Sequence, residues 1–134
     1  MMLRHVALSC GSEEQADNFY HHLLGLEKSA IKTLPAAVSK ALFEIDADLK
    51  IINYRNDRLH FEIFLTGTQM SRPHRLAHVC LGVDDLAAFL TDCRRLQVKI
   101  LQVPKGDKLL TFVSDDDGNL FEIQNFRTGA SRVA

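Results

Sequence analysis

An internal repeat constrains this chain more than any other feature. Leu3-Arg4-His5-Val6-Ala7-Leu8 and Leu76-Ala77-His78-Val79-Cys80-Leu81 both read L-x-H-V-x-L. Leu59-His60-Phe61-Glu62-Ile63 and Asn119-Leu120-Phe121-Glu122-Ile123 both carry F-E-I. In each half the His phrase comes first and the Glu phrase last. The 134 residues therefore divide into two diverged copies of one unit. Copies of roughly 65 residues are marginal folders alone, so the two are expected to form a single domain. The first module spans residues 1–66 and the second 76–126. Residues 67–75, with Gly67, Ser71 and Pro73, read as the linker, and the tail from Thr128 is expected to fray.

Each half opens with a strand and an amphipathic helix. Ser12 is a natural N-cap, Glu13 and Glu14 suit a first helical turn, and Ala16, Phe19, Tyr20 and Leu23 follow at helical spacing. Gly25 suits the position just past a helix end. In the second half Asp84 takes the cap role before Leu86, Phe89, Leu90, Cys93 and Leu96. The remainder reads as extended. Glu27 to Thr33 is a weak strand, and Leu49–Arg55 and Arg58–Leu65 form a hairpin around Asn56-Asp57. Val98–Val103, Leu109–Ser114 and Asn119–Asn125 complete the second half, with a turn at Asp116-Asp117-Gly118-Asn119. An extra helix over Pro35–Leu42, with Val38, Leu42 and Ile45 on its packing side, is an insertion in the first half. Each half is thus a βαβββ module.

Composition removes several function classes. Sixteen basic residues stand against 17 acidic ones with no basic stripe, so nucleic acid is not an expected partner. Three cysteines without CxxC spacing suit reduced thiols rather than a disulfide frame. There is no apolar run of about 18 residues and no secretory signal. No membrane association is expected, and the cytoplasm is the expected location.

Strand parity turns the repeat into chemistry. Side chains alternate between faces, so His5, Glu62, His78 and Glu122 all oppose the apolar faces of their strands. If the sheet curls, the four converge on one cavity. Two carboxylates in such a place repel and are costly to desolvate, and a divalent cation offsets both effects. Two imidazoles and two carboxylates suit Zn, Ni, Co, Fe or Mn. Taken singly, a strand His is more often a hydrogen-bonded structural residue, and such a Glu more often faces solvent. Their recurrence in the same order favours the metal. His60 and Cys80 share the parity of these four residues and are candidate lining of a substrate cavity. Lys105 and Lys108 flank Gly106-Asp107, which reads either as a solvated turn or as a contact for an anionic substrate group.

These residues resemble the vicinal oxygen chelate superfamily, also called the glyoxalase/bleomycin resistance/dioxygenase superfamily. The resemblance rests on L-x-H-V at Leu3–Val6, F-Y-x-x-L-L-G-L at Phe19–Leu26 and D-x-D-G-N-L-F-E-I at Asp115–Ile123. It implies an α+β fold in which two tandem βαβββ modules form a cupped, incomplete mixed β-barrel with helices outside. It implies His5, Glu62, His78 and Glu122 as metal ligands and a homodimer acting on a small molecule. The His/Glu/His/Glu set is most similar to glyoxalase I, a lyase. Dioxygenases and fosfomycin-modifying enzymes typically use two His and one Glu, methylmalonyl-CoA epimerase typically has Gln at the position of Glu62, and bleomycin-binding members lack the metal. The implied activity is a lyase or isomerase that chelates vicinal oxygens and transfers a proton through an enediolate, with Glu122 as base and Glu62 as its partner. An epimerase, dioxygenase or thiol transferase, or a non-catalytic binding protein, are the alternatives.

Overall fold

The computed structural model describes residues 3–67 and 78–126. The chain divides into two compact units, residues 1–71 and 72–134. Most of the expected linker and the tail lie outside the described residues, as does His74.

The first unit runs β1 (Val6–Cys10), α1 (Glu13–Ala16), a π-helical continuation (Asp17–Leu23), β2 (Glu27–Lys28), β3 (Lys32–Leu34), α2 (Ala36–Phe43), β4 (Leu49–Arg55) and β5 (His60–Leu65). Its sheet has the order β1-β5-β4-β2, with β3 also pairing β4. β1 lies parallel to β5 and the other pairings are antiparallel. The second unit runs β6 (His78–Val83), α3 (Leu86–Arg95), β7 (Lys99–Lys105), β8 (Lys108–Ser114) and β9 (Leu120–Asn125), in the order β6-β9-β8-β7. β6 is parallel to β9, as β1 is to β5. The fold is mixed α+β with two sheets and few helices, and neither sheet closes into a barrel. The βαβββ outline read from the repeat is present in both units.

Local chemistry explains the elements and their departures from expectation. Ser12 accepts a hydrogen bond from the Gln15 amide and starts α1. The helix then widens: the Leu24 amide reaches back five residues to Phe19 O, and Gly25, at φ +72°, ends it. Helix α3 is capped by Asp85, not Asp84, because it is the Asp85 carboxylate that accepts from the Ala88 amide. The expected strand over Glu27 to Thr33 is broken into β2 and β3. Ser29 interrupts it by giving its amide to Asn53 O and accepting the Asn53 amide at its hydroxyl. β5 begins at His60 rather than Arg58, since Asn56 Oδ1 accepts the Arg58 and Leu59 amides and draws those residues into the turn.

Helix α2 forms after Pro35 as expected, but its packing face differs. Val38 and Leu42 are exposed, and Ser39 is the residue fully buried. The Ser39 hydroxyl sits among carbonyls, 3.0 Å from Ile45 O and against Ala47 O, so it closes the segment that follows the helix. The helix ends at Glu44, which adopts a left-handed conformation (φ 60°).

The core of the first unit lies between the sheet and the first helix. Ile52, Tyr54, Phe61 and Ile63 pack under Ala16, Phe19, Tyr20 and Leu23. The Tyr20 ring lies 5.5 Å from Tyr54 and 5.4 Å from Phe61. Burial of each such side chain stabilises by about 1.5–3 kcal/mol. A polar tether adds direction: Tyr54 Oη donates to Asp17 Oδ1 at 2.8 Å, while Lys28 donates to Asp17 Oδ2 at 2.9 Å and also to Glu13. In the second unit Leu81, Val113, Phe121 and Ile123 are buried, as are Leu90 and Cys93 of α3. The turn before β9 is built on Asp115, whose Oδ1 accepts the Asp117 and Asn119 amides and whose Oδ2 accepts from the Asn119 side chain.

Candidate metal centre

The buried faces fix the opposite ones. With Phe61 and Ile63 in one core and Phe121 and Ile123 in the other, Glu62 and Glu122 must point away from both. Strand register then selects their neighbours. Glu62 stands opposite Ala7 on β1, and His5 lies two residues earlier on the same face. Glu122 stands opposite Cys80 on β6, and His78 lies two residues earlier on the same face. The result is the same in both copies: His5 Nε2 is 3.8 Å from Glu62 Oε1, and His78 Nε2 is 3.8 Å from Glu122 Oε1.

A spacing of 3.8 Å is too long for a hydrogen bond. Two ligands on one ion, each at about 2.1 Å, stand about 3.0–3.4 Å apart across an octahedral or tetrahedral edge. Each pair therefore fits a shared divalent ion after a contraction of about half an ångström. The donor types, imidazole nitrogen and carboxylate oxygen, also suit such an ion. Gln124 Nε2 donates to Glu122 Oε2 at 3.1 Å, which fixes that carboxylate and leaves Oε1 toward His78.

The surroundings of the two pairs differ. Asn53 on β4 stands opposite Glu62, whereas Phe112 on β8 stands opposite Glu122. Two residues before each Glu are His60 and Leu120. In the first unit His60 Nε2 is 2.6 Å from Asn53 Oδ1, and the His60 ring lies 5.4 Å from that of His5. An amide oxygen only accepts, so His60 donates through Nε2 and keeps Nδ1 as an acceptor. Burial, then the charges of His5 and Arg55, hold His60 below the ordinary imidazole range. In the second unit Phe112 instead packs edge-on against His78, with ring centroids 5.6 Å apart.

A cleft of about 580 Å³ is lined by His5 and Glu62 together with Phe43, Ile45, Leu49 and Phe64. Phe43 and Phe64 meet edge-to-face at 5.5 Å. The α2 insertion thus supplies an apolar wall to the first His–Glu pair. Cys80 is exposed, and partial burial together with Glu122 pushes its thiol above the ordinary value, which disfavours the thiolate. Lys105 and Lys108 pair across the exposed β7–β8 hairpin. Lys108 stands four residues from Phe112 along β8, roughly 13 Å from the neighbourhood of Glu122. The His21 and His22 rings, in the last turn of the first helix, lie 5.0 Å apart and tilted, and His21 Nδ1 engages Leu26 O at 2.6 Å. Asn53 and Phe43 escaped the sequence reading. Alternation along β4 puts Asn53 on the right face, but its place opposite Glu62 depends on cross-strand register.

The family model for the glyoxalase/bleomycin resistance protein/dioxygenase superfamily matches residues 2–123. The chain belongs to that superfamily. Mitochondrial methylmalonyl-CoA epimerase of Mus musculus is 27% identical over 103 residues, covering 74% of this chain and 55% of the epimerase. The chain thus spans about half the length of that curated relative. A glyoxalase family protein from Enterococcus faecalis has the same fold, with a TM-score of 0.70 at 19% identity over 91% of this chain and 95% of its own. A mutant of the fosfomycin resistance protein FosX from Listeria monocytogenes, complexed with Mn(II) and a dihydroxypropylphosphonic acid, gives 0.68 at 16% identity over 98% and 94%. At these identities the structural likeness is one of fold.

Proposed function

We propose that the protein is a metal-dependent lyase or isomerase of the superfamily, with His5, Glu62, His78 and Glu122 holding one divalent ion. The observation that carries this reading is the identical His–Glu pair, in the same register and at the same 3.8 Å, in both copies of the repeat. Partly exposed positions outside the two cores are not held in that arrangement by core packing. Zn, Ni, Co, Fe or Mn suits the donor set, and the FosX relative was solved with Mn(II). When bound, the ion supplies Lewis acidity to two vicinal oxygens of a small carbonyl or thiohemiacetal substrate and offsets the charge of an enediolate.

The side chains divide the remaining work. Glu122 is the base that removes the proton next to the carbonyl, its Oε1 giving up the ligand role to do so, and the Gln124 hydrogen bond to Oε2 keeps that carboxylate aimed. Glu122 then returns that proton to the neighbouring carbon, with Glu62 as its partner. Phe43 and Phe64 exclude water beside Glu62, and His60, held by Asn53, offers Nδ1 to a substrate hydroxyl. Cys80 is small lining beside Glu122. The same reading takes the protein as a cytoplasmic homodimer with a small-molecule substrate. The likeness to methylmalonyl-CoA epimerase favours, as a second reading, an epimerase that removes and returns a proton beside a thioester carbonyl.

Elemental analysis of purified wild type beside His78→Ala tests the centre. One divalent ion per chain in wild type and a sharply lower content in the variant are expected. Absence of metal, with no metal-induced thermal shift, refutes the proposal. Glu122→Gln is expected to lose turnover of a hemithioacetal or a 2-substituted acyl thioester by about 10²–10⁴-fold. Ligand binding that survives both His5→Ala and His78→Ala would instead indicate a non-catalytic binding protein.

A further inference from the structure

A second cleft, of about 750 Å³, opens in the first unit. Three separate stretches line it: Leu3 and Arg4 ahead of β1, Gly25 and Glu27 after the first helix, and the β4–β5 turn from Arg55 to His60. Its walls carry three guanidinium groups, from Arg4, Arg55 and Arg58, against the carboxylates of Glu27 and Asp57. The local balance is positive in a chain whose net charge is -1.

The β4–β5 turn is held by a side chain other than the guanidinium groups. Asn56 holds it, accepting the Arg58 amide at 2.8 Å and the Leu59 amide at 2.7 Å, with its own amide on Leu59 O. Glu27 stands directly opposite Arg55 across the β2–β4 pairing. Even so, among the described residues neither Arg4 nor Arg55 forms an ion pair. A guanidinium is a planar fork of donors matched to carboxylate and phosphate oxygens, so two such groups on one cleft form a site for an anion rather than a solvated face. His60 belongs to this cleft and also lies 5.4 Å from the His5 ring, so it joins the basic cleft to the first His–Glu pair.

We propose that this cleft binds a phosphate or carboxylate group on the tail of the ligand whose reacting end lies at His5 and Glu62. The binding of the anion stands on the cleft alone, while the link to a reacting end rests on the metal-centre reading above. His60 and Glu62 are two residues apart on β5, roughly 7 Å, which sets the least distance between the two ends of the ligand. The substrate class is therefore an extended molecule with a terminal anion, rather than a three-carbon aldehyde adduct with no charged tail.

The test uses the full chain as purified, and the same preparation after chelator treatment. Inorganic pyrophosphate and succinate are the probes, followed by calorimetry and by ¹H–¹⁵N spectra that include arginine side-chain signals. Binding of either probe is expected to shift Arg55, Arg58 and His60 in both preparations, and the stronger probe identifies phosphate or carboxylate as the tail group. Arg55→Gln is expected to weaken binding roughly tenfold, with unchanged metal content. Because these side chains are exposed, the variants should retain the wild-type spectrum elsewhere. Dissociation constants weaker than about 10 mM for both probes overturn the proposal. So does wild-type affinity in an Arg55→Gln/Arg58→Gln protein, or binding that vanishes on chelation. Binding by a preparation that takes up no metal leaves the anion site standing and refutes the metal centre instead.

Discussion

Replacing Asp17 tests how the first helix is fixed to the sheet that carries the candidate site. Tyr54 is fully buried, and its hydroxyl donates to Asp17 Oδ1 at 2.8 Å. Burial, and then Asp17 itself, push the phenol far above its ordinary range, so the hydroxyl stays a donor at every working pH. Asp17→Ala strands that donor and removes one of the two carboxylates on Lys28. A stranded buried hydroxyl costs about 1–3 kcal/mol, and a partly exposed ion pair adds up to about 1 kcal/mol. The expected loss is about 1–4 kcal/mol. For a chain of this length that lowers Tm by about 3–20 °C, measurable by calorimetry. Tyr54→Phe removes donor and demand together and should cost only about 1 kcal/mol. The two changes should therefore be coupled by about 1–2 kcal/mol in a double-mutant cycle. Coupling below about 0.5 kcal/mol refutes the assignment. The pH dependence adds a second check. Burial alone would raise the Asp17 carboxyl, but hydrogen bonds from Lys28 and Tyr54 outweigh it and hold the group below its ordinary value of 3.8. A depressed carboxyl stabilises the fold above its unfolded pKa and loses that contribution as pH falls through the folded one. The stability gap between wild type and Asp17→Asn should therefore be full at pH 6 and narrow below about pH 4.

Other expectations follow from single contacts. Burial pushes the Cys93 thiol up to about 11, and Cys10 is also buried, so iodoacetamide at pH 8 should modify Cys80 first, as mass spectrometry will show. Rapid labelling of Cys93 in folded protein would contradict this core. Gly118 sits at φ +86° with open space where a Cβ would stand, so Gly118→Ala should cost about 1–2 kcal/mol by backbone strain alone in chemical denaturation. Asn53→Leu removes the acceptor at His60 Nε2 and should change the His60 ring ¹⁵N shifts while metal content stays at the wild-type level. Unaltered His60 shifts would show that the pair does not form in solution.

The repeat and the two-residue period of strands carried most of the fold, because each F-E-I phrase places two core residues around one that must face away. The same periods predicted Ser12 as a cap and Phe19 and Tyr20 as core, and both are observed. What escaped has physical reasons. A π-helical stretch differs from an α-helix by one residue per turn, too little to see in the spacing of Phe19, Tyr20 and Leu23. Asp84 and Asp85 are equally good caps in sequence, and only backbone geometry chooses between them. Val38 and Leu42 have the spacing of a packing face, yet the carbonyls after α2 recruit Ser39 to that role. Within each unit the candidate site was legible as far as the His–Glu pairs. The partnership of His60 with Asn53, and the grouping of Arg4 with Arg55 and Arg58, join residues from different strands and loops, which no linear spacing encodes.

The unequal neighbours of the two Glu residues bear on division of labour. Two identical modules would give each Glu the same neighbours, so neither could take a task the other lacked. Here one copy provides the hydrogen-bonding pair His60–Asn53, and the other, at the matching positions, provides Leu120 and Phe112. The His–Glu pair is common to both copies, and the positions around it differ. On the function proposed above, a Glu beside hydrogen-bonding groups and a Glu beside an aromatic ring take different parts in one reaction, so Glu62→Gln and Glu122→Gln should impair different steps.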